Sequence, residues 1–176
     1  MWTPLPAYAE LHCLSAFSFQ RGASLPEELV QRAAALGYSA LALTDECSVS
    51  GVVRAHTQAQ ELGLQLLPGA EFLVPPDAEA PPPARTGQAV RAAAPAAPVR
   101  LVVLPHNLEG WGNLCEFITA ARRKAAKGSY EVSWAGSDWA WLQHCEVLLA
   151  PTRAISFEAL CAACLTGSAL RADTET

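Results

Sequence analysis

Five side chains able to bind a metal ion or move a proton follow predicted strands of this 176-residue sequence. His12 follows the first strand, Asp45 and Glu46 follow the second, Glu71 lies at the third extended region, and His106 follows the fourth. In open parallel sheets and in barrels, catalytic and ligand-binding residues lie at the carboxyl ends of the strands. Two imidazoles and three carboxylates at one such mouth could hold divalent metal ions for phosphoester hydrolysis.

Each of these residues also has a purely structural interpretation. A histidine without partners is more often a hydrogen-bonded structural residue than a catalyst, which applies to His12. Asp45 could simply cap the turn or helix that follows it. His106 is a candidate only through its position at a strand end. His56 and His144 fall on predicted helices, and we expect both at the surface.

Alternating strands and helices must position these residues. Apolar runs predict strands at residues 8–11, 40–43, 64–67, 70–74, 99–104 and 147–150. Helical periodicity and end signals predict helices at 24–36, 51–62, 110–124, 138–144 and 155–165. Ser24 is predicted to cap the first helix, with Pro26 in its first turn. Four or five βα units in series predict an α/β fold with a parallel sheet, either open or curled into a barrel.

The composition is that of a globular protein. Apolar residues make up 51% and charged residues 16% of the chain, which is enough for a core and excludes a disordered chain. Twelve basic against seventeen acidic residues give a net charge of −5, which disfavours independent binding to DNA. No apolar run approaches the roughly 18 residues of a membrane span, and the N-terminus lacks a secretory signal. We therefore expect a cytoplasmic protein without a membrane partner.

Proline and alanine dominate residues 75–98, which hold seven of the thirteen prolines. Such a stretch cannot bury enough surface to offset its ordering entropy. The sequence therefore predicts a mobile insertion between a first unit, residues 1–74, and a second, residues 99–176. The six cysteines lie in apolar segments, and we expect reduced thiols, including the closely spaced Cys161 and Cys164.

Two further clusters have competing interpretations. Basic residues gather near the end of the helix predicted at 110–124: Arg122, Arg123, Lys124 and Lys127. They could complement the helix C-terminus or contact phosphate, and the first interpretation is favoured. Four tryptophans are candidate packing or interface anchors: Trp111, Trp134, Trp139 and Trp141. No basic residue is interleaved between residues 134 and 141, which argues against a base-stacking platform.

Several segments resemble the polymerase and histidinol phosphatase (PHP) domain. Residues 11–18 (LHCLSAFS) with Gly22 are similar to its opening motif, residues 43–48 (LTDECS) to its second, and residues 69–72 (GAEF) to its third. Residues 101–114 resemble a segment of bacterial replicative α subunits. With residues 9–13 and 23–30, the resemblance narrows to the error-prone, DNA polymerase III α-like polymerases of damage tolerance. It covers roughly residues 8 to 130.

The resemblance implies a metal site whose opening motif is degenerate here. In active members that motif reads His-x-His, and an aspartate precedes the glycine. This sequence keeps His12, but Leu14 and Arg21 stand at the other two positions. Leucine offers no lone pair to a metal. Because arginine is always protonated, Arg21 would repel a divalent cation and could itself pair with Glu46 or Glu71.

The second and third motifs retain part of the pattern. The second usually reads Thr-Asp-His; here Asp45 remains and Glu46 replaces the histidine, while Glu71 of the third motif is kept. The ligand count therefore falls short of a three- or four-ligand shell, and we predict a metal-free site. If zinc or manganese were bound after all, its ligands would be His12, Glu46, Glu71 and His106.

The family also implies a fold and a role. A PHP domain of this type is a (β/α)7-like barrel, of which this chain would supply about five parallel βα units before closure. The favoured hypothesis is an N-terminal, structural PHP module packed against the palm and thumb of an error-prone DNA polymerase. Catalytic magnesium would belong to a palm beyond residue 176. The chain would then reach DNA only through its parent and would not polymerise DNA alone.

Two other functions remain open. One is a metal-dependent phosphoesterase, such as a proofreading 3′–5′ exonuclease, which would use the five side chains that follow the predicted strands. The other is an interaction module that binds another damage-tolerance protein through the tryptophan-rich segment. The second hypothesis predicts that Trp139→Ala or Trp141→Ala weakens partner binding without altering the fold.

Overall fold

Two three-stranded sheets organise the residues that the computed structural model describes, which are 7–75 and 98–150. The first sheet is parallel and contains β1 (Ala9–Cys13), β2 (Ala40–Leu43) and β3 (Gln65–Pro68). Its connections contain the helices α1 (Pro26–Ala35) and α2 (Val52–Leu62). The second sheet is antiparallel and contains β4 (Ala70–Val74), β5 (Val99–Pro105) and β6 (Cys145–Ala150). Between β5 and β6 lie the helix α3 (Leu108–Lys124) and a short 3₁₀ helix, Trp139–Leu142.

The parallel half folds as the sequence predicts. All four residues of β2 are buried, as expected of a central parallel strand that is covered on both faces. Its leucines pack with Val30 and Ala33 of α1 and with Ala55 and Ala59 of α2. The three- and four-residue spacings place each pair on one helix face. Helix α2 ends at Gly63, whose positive φ of 67° suits a left-handed cap.

The start of α1 differs from the prediction. Leu25, rather than Ser24, is the N-cap residue, and its backbone N–H donates to the Glu28 carboxylate at 2.8 Å. The carbonyl of Ser24 instead accepts a hydrogen bond from the Ala16 N–H. Ser24 therefore closes the loop that follows β1 and does not cap the helix.

The prediction of parallel strands throughout is wrong for the second half. Only Gly69 separates β3 from β4, so the connection is too short to contain the crossover helix of a further βα unit. After α3 the chain returns to the end of the sheet at which β5 finishes, so Pro105 lies opposite Cys145. This return makes β5 antiparallel to β6, and β5 is also antiparallel to β4, whose Val74 lies opposite Val99. The described residues thus form a mixed α/β structure with one parallel sheet.

Aromatic residues build the core behind the second sheet. The rings of Phe72 and Phe117 meet edge to face, with their centroids 4.9 Å apart. Trp139 packs on Phe117 at 5.7 Å and on Trp134 at 5.3 Å. Both tryptophans are therefore packing residues, so Trp139→Ala removes ring contacts within the core as well as any partner contact. Trp141 keeps 38% of its surface exposed.

Some sequence predictions lie outside the described residues. They include most of the proline-rich insertion at 75–98, the helix at 155–165, Cys161 and Cys164. Within the described ranges the cysteines are free thiols, as expected: Cys13, Cys47, Cys115 and Cys145. In the same part of the chain, no helix combines the length and apolar character that a membrane crossing requires.

Candidate functional site

The loop after β2 and the start of β4 form the floor of the candidate site. Glu46 and Glu71 are partners in an isolated parallel bridge between the two segments. The Glu71 N–H donates to the Asp45 carbonyl at 3.1 Å, and the Cys47 N–H donates to the Glu71 carbonyl at 2.8 Å. These backbone bonds hold Glu46 and Glu71 side by side at the mouth of the parallel sheet. The structure thus brings these two predicted residues together at that edge.

Arg21 bridges these two carboxylates. Its Nη1 donates to Glu46 Oε2 at 2.7 Å and also to Glu71 Oε1. The Glu71 side chain is fully buried, whereas 26% of each of the other two side chains remains exposed. Burial by itself lowers the pKa of Arg21, but the hydrogen bonds that Arg21 donates to the two carboxylates outweigh it and raise that pKa above its usual value. The ion pair anticipated from the sequence is thus present with both glutamates.

Glu71 is the centre of the charge network. His12, near the end of β1, places Nε2 2.5 Å from Glu71 Oε2. Arg100 of β5 places Nε 3.4 Å from Glu71 Oε1, which fits its diagonal position, because Glu71 pairs with Val102 in the sheet. Burial raises the pKa of Glu71, but the hydrogen bonds from His12 and Arg21 more than compensate, and the pKa lies below its usual value. Glu71 is therefore a buried carboxylate held in its charged form.

Asp45 has a different role from the one that its sequence position suggests. It is 1% exposed and accepts hydrogen bonds from the backbone and hydroxyl of Ser15 at 2.8 and 2.7 Å, and from the Ser18 hydroxyl at 2.6 Å. The Ser18 oxygen in turn accepts from the Glu46 N–H at 2.9 Å. Asp45 therefore fastens the loop after β1 onto the loop after β2, instead of capping the helix that follows.

Two residues from the second half complete the site: Tyr130, which the sequence analysis did not consider, and Arg122, which it placed only in a basic cluster at a helix end. The Tyr130 hydroxyl donates to Glu46 Oε1 at 2.8 Å and accepts from the Leu73 N–H at 2.9 Å. Arg122, at the end of α3, donates from Nε to the Cys47 carbonyl at 2.9 Å. The basic cluster offered a signal for Arg122, but nothing local in the sequence connects Tyr130 to a glutamate 84 positions earlier.

His106 does not join these residues in the described contacts. Its backbone N–H donates to the His144 carbonyl at 2.9 Å, and its Nε2 lies 3.5 Å from Glu146 of β6. The side chain is 57% exposed. The strand-end argument fails here because β5 is not parallel to the strands that carry His12 and Asp45. His56 is exposed on α2 as expected, and His144 is exposed but lies just beyond the 3₁₀ helix.

A divalent metal does not fit this arrangement. Every carboxylate oxygen of Glu46 and Glu71 already has a partner in Arg21, Tyr130 or His12. Leu14, which stands where the opening motif of the family has its second histidine, supplies no ligand atom. Across residues 7–75 and 98–150 there is no group of three or more His, Cys, Asp or Glu side chains that could hold an ion. The cation between the carboxylates is the protein's own guanidinium.

Nucleophilic chemistry is also disfavoured at this mouth. Cys13 and Cys47 are the nearest thiols in sequence to the site residues, and burial raises the pKa of each to about 11. A thiol with such a pKa is almost entirely protonated at neutral pH, so it is a poor nucleophile. The site therefore has the properties of a closed polar network that binds neighbouring segments together.

The sequence pattern of the PHP domain matches residues 10–171, and the chain belongs to this family. Among curated relatives, the error-prone DNA polymerase of Bordetella parapertussis is 46% identical over 164 residues, which are 89% of this chain and 14% of that protein. The error-prone DNA polymerase of Ralstonia nicotianae is 52% identical over 128 residues, which are 73% of this chain and 10% of that protein. The chain thus spans only a small part of the length of these relatives.

One solved structure with a partly similar backbone is an amidohydrolase from Chromobacterium violaceum with bound sulfate and no metal. It is 27% identical, has a TM-score of 0.48, and the match covers 66% of this chain and 34% of that one.

Proposed function

We propose that this chain is the N-terminal PHP unit of an error-prone DNA polymerase, and that its site has a structural role. Relatives with that name, at 46% and 52% identity, support the first part. One observation supports the second part: the Arg21 guanidinium lies between Glu46 and Glu71. That contact supplies internally the positive charge that a metal would bring.

The internal cation changes what the site can do. Metal-dependent hydrolysis requires carboxylate and imidazole ligands that are free to coordinate an ion and its water. Here the same groups hold Arg21, Tyr130 and His12, which join three separate segments of the chain. These contacts then stabilise the fold and leave no carboxylate oxygen of Glu46 or Glu71 free for a catalytic metal ion.

The larger arrangement follows from the same proposal. Residues 1–74 supply βα units of a PHP barrel, residues 99–176 continue it with strands that are antiparallel where the structure describes them, and 75–98 form an insertion. The partner of this unit is the polymerase body, which carries the palm, its magnesium ions and the contacts to DNA. Synthesis across damaged template, DNA repair and a cytoplasmic location belong to that parent polymerase, and other damage-tolerance proteins are further candidate partners.

Neither alternative function gains support from a specific contact. A phosphoesterase or 3′–5′ exonuclease would need the carboxylate oxygens that Arg21 and Tyr130 bind. An interaction module built on the tryptophan-rich segment would need exposed rings, but Trp134 and Trp139 pack against the core, which leaves Trp141, 38% exposed, to carry it.

Metal analysis tests the structural role. The purified chain is incubated with zinc or manganese, desalted, and assayed for bound metal and for hydrolysis of a 3′-labelled oligonucleotide. We expect less than about 0.1 metal ion per chain, because a three- or four-ligand site would retain its ion. We also expect no hydrolysis. Stoichiometric metal that disappears in Glu71→Gln, but persists in the control Arg54→Gln, would contradict the proposal.

Primer extension tests the parent activity. The full-length polymerase that carries this unit is given a primed template with an abasic site. Extension past the lesion is expected, and a full-length chain without nucleotide incorporation would refute the polymerase assignment.

A further inference from the structure

The loop that follows β1 presents two phenylalanines to solvent. We call residues 15–22 the phenylalanine loop. Phe19 is 84% exposed and Phe17 is 42% exposed, whereas Ser15 and Ser18 of the same loop are buried. The polar side chains thus point into the protein and the aromatic ones point out, which is the reverse of the usual arrangement.

Contacts with carboxylates of the candidate site hold the phenylalanine loop in place. Asp45 binds Ser15 and Ser18 through three hydrogen bonds, and the Arg21 side chain at the end of the loop binds Glu46 and Glu71. The loop also closes on itself, because the Gly22 N–H donates to the Ser18 carbonyl at 2.9 Å. The phenylalanines are therefore displayed on a fixed platform.

Isolated exposed apolar side chains are common and by themselves indicate nothing. Leu108, also 84% exposed, and Val53, 76% exposed, are single examples at helix ends. The phenylalanine loop differs because two large aromatic side chains lie within three residues on a preorganised segment. Aromatic side chains on rigid segments are typical anchors of protein interfaces, since little entropy is lost when they bind.

We infer that the phenylalanine loop is a docking surface for the polymerase body, with Phe19 as the anchor in an apolar recess of that body. This inference rests on the proposed function. The polymerase body is the expected docking partner because the matched region is only 14% or 10% of the much longer relatives. The loop carries no charged side chain from residue 15 to residue 20, so its partner surface is apolar rather than a nucleic-acid backbone. The contacts of Arg21 with Glu46 and Glu71 would then hold the loop in the conformation that presents Phe19 to the polymerase body.

Site-specific cross-linking tests the inference directly. A photoreactive phenylalanine derivative replaces Phe19 in the full-length polymerase that carries this unit, and mass spectrometry maps the cross-links. The matched control carries the same derivative at Leu108. We expect cross-links from position 19 to residues beyond 176 and none to that region from position 108. Cross-links from position 19 only within residues 1–176, only between two copies of the chain, or nowhere would overturn it.

A stability comparison separates docking from folding. In the 176-residue chain, the double substitution Phe17→Ser and Phe19→Ser should change Tm by less than about 1 °C, because exposed side chains contribute little. In the full-length polymerase it should lower the Tm of the PHP unit by ~3 °C or more, while Leu108→Ser leaves both values unchanged. Equal losses in the short and long chains would mean a structural role and refute docking. Primer extension is measured separately, so a failure of the polymerase assignment is seen independently of the cross-links.

Discussion

Glu71 is a fully buried carboxylate with three cationic or imidazole neighbours: His12, Arg21 and Arg100. An isolated buried charge is strongly unfavourable, and only hydrogen bonds and opposite charges make it tolerable. Removing one member of such a set leaves the others desolvated and unpaired. The site should therefore be sensitive to single substitutions at Glu71.

We predict that Glu71→Gln lowers the free energy of unfolding by about 2–4 kcal/mol, because Arg21 and Arg100 lose the buried charged partner that their guanidinium groups face. Urea unfolding measures the change. The control is Arg54→Gln, which removes the ion pair with Glu27 on the surface of α1 and α2, where Arg54 is 49% exposed. That substitution should cost less than about 1 kcal/mol. Similar losses in the two variants would contradict the buried network.

Stability should also depend on acidity through Glu71. Its pKa in the folded protein lies below the ordinary value of 4.5, so the unfolded chain binds the proton more tightly. The stability that this carboxylate contributes is present above pH 4.5 and is lost as the pH falls through the folded-state pKa. We expect the stability difference between the wild-type chain and Glu71→Gln to shrink below pH 4.5, as followed by urea unfolding at successive pH values. An undiminished difference at about pH 3 would be inconsistent with a depressed pKa.

At the scale of elements, the phenylalanine loop depends on a close backbone approach. A Cβ atom added at Gly22 would lie 1.9 Å from the Ser15 carbonyl oxygen, which is backbone and cannot rotate away. The loop can therefore close only with glycine at this position. The structure offers a matched comparison in Gly112 of α3, where an added Cβ meets nothing within 4 Å.

We predict that Gly22→Ala destabilises the chain by roughly 2 kcal/mol or more, because the loop must move and the Asp45 hydrogen bonds are strained. Gly112→Ala should instead stabilise it by about 0.5–1 kcal/mol, because alanine favours a helix over glycine. Thermal and urea unfolding of both variants measure the two effects. A neutral Gly22→Ala would show that the loop is not closed in this way.

Local patterns predicted the elements well and their pairing only in part. Strand β2 and helix α2 were predicted to within one residue, because apolar periodicity and a terminal glycine define them. The antiparallel sheet was not predicted, since the direction of a strand depends on where the chain returns after a long connection, which local patterns do not show. At the site, the Arg21 pairing was anticipated because charge chemistry follows from residue type. Tyr130 was missed because its role arises only from tertiary contact.

At the scale of the molecule, the site connects the two halves of the chain. Tyr130 lies in the second half, yet its hydroxyl binds Glu46 of the first half and the Leu73 backbone of β4. Burial and the nearby glutamate raise the pKa of Tyr130, so the hydroxyl keeps its proton and can donate it. The hydroxyl is thus a link between the parallel and antiparallel sheets.

We predict that Tyr130→Phe lowers the free energy of unfolding by about 1–2 kcal/mol, because the Leu73 N–H and Glu46 each lose a partner. The control Tyr8→Phe removes an exposed hydroxyl that donates to Glu10 at 2.9 Å, and it should cost less than about 0.5 kcal/mol. Hydrogen exchange at Leu73 should accelerate in Tyr130→Phe alone. Unchanged exchange there would indicate that the hydroxyl does not link the sheets.

The bridge from Arg21 to two glutamates also constrains how the sequence can change over generations. Loss of the arginine alone would take a close cationic partner from the buried Glu71, and loss of Glu71 alone would leave Arg21 paired only with Glu46 among the described residues. A chain that acquired metal ligands at these positions one substitution at a time would pass through less stable variants at each step. Selection for a stable fold is therefore enough to preserve the bridge.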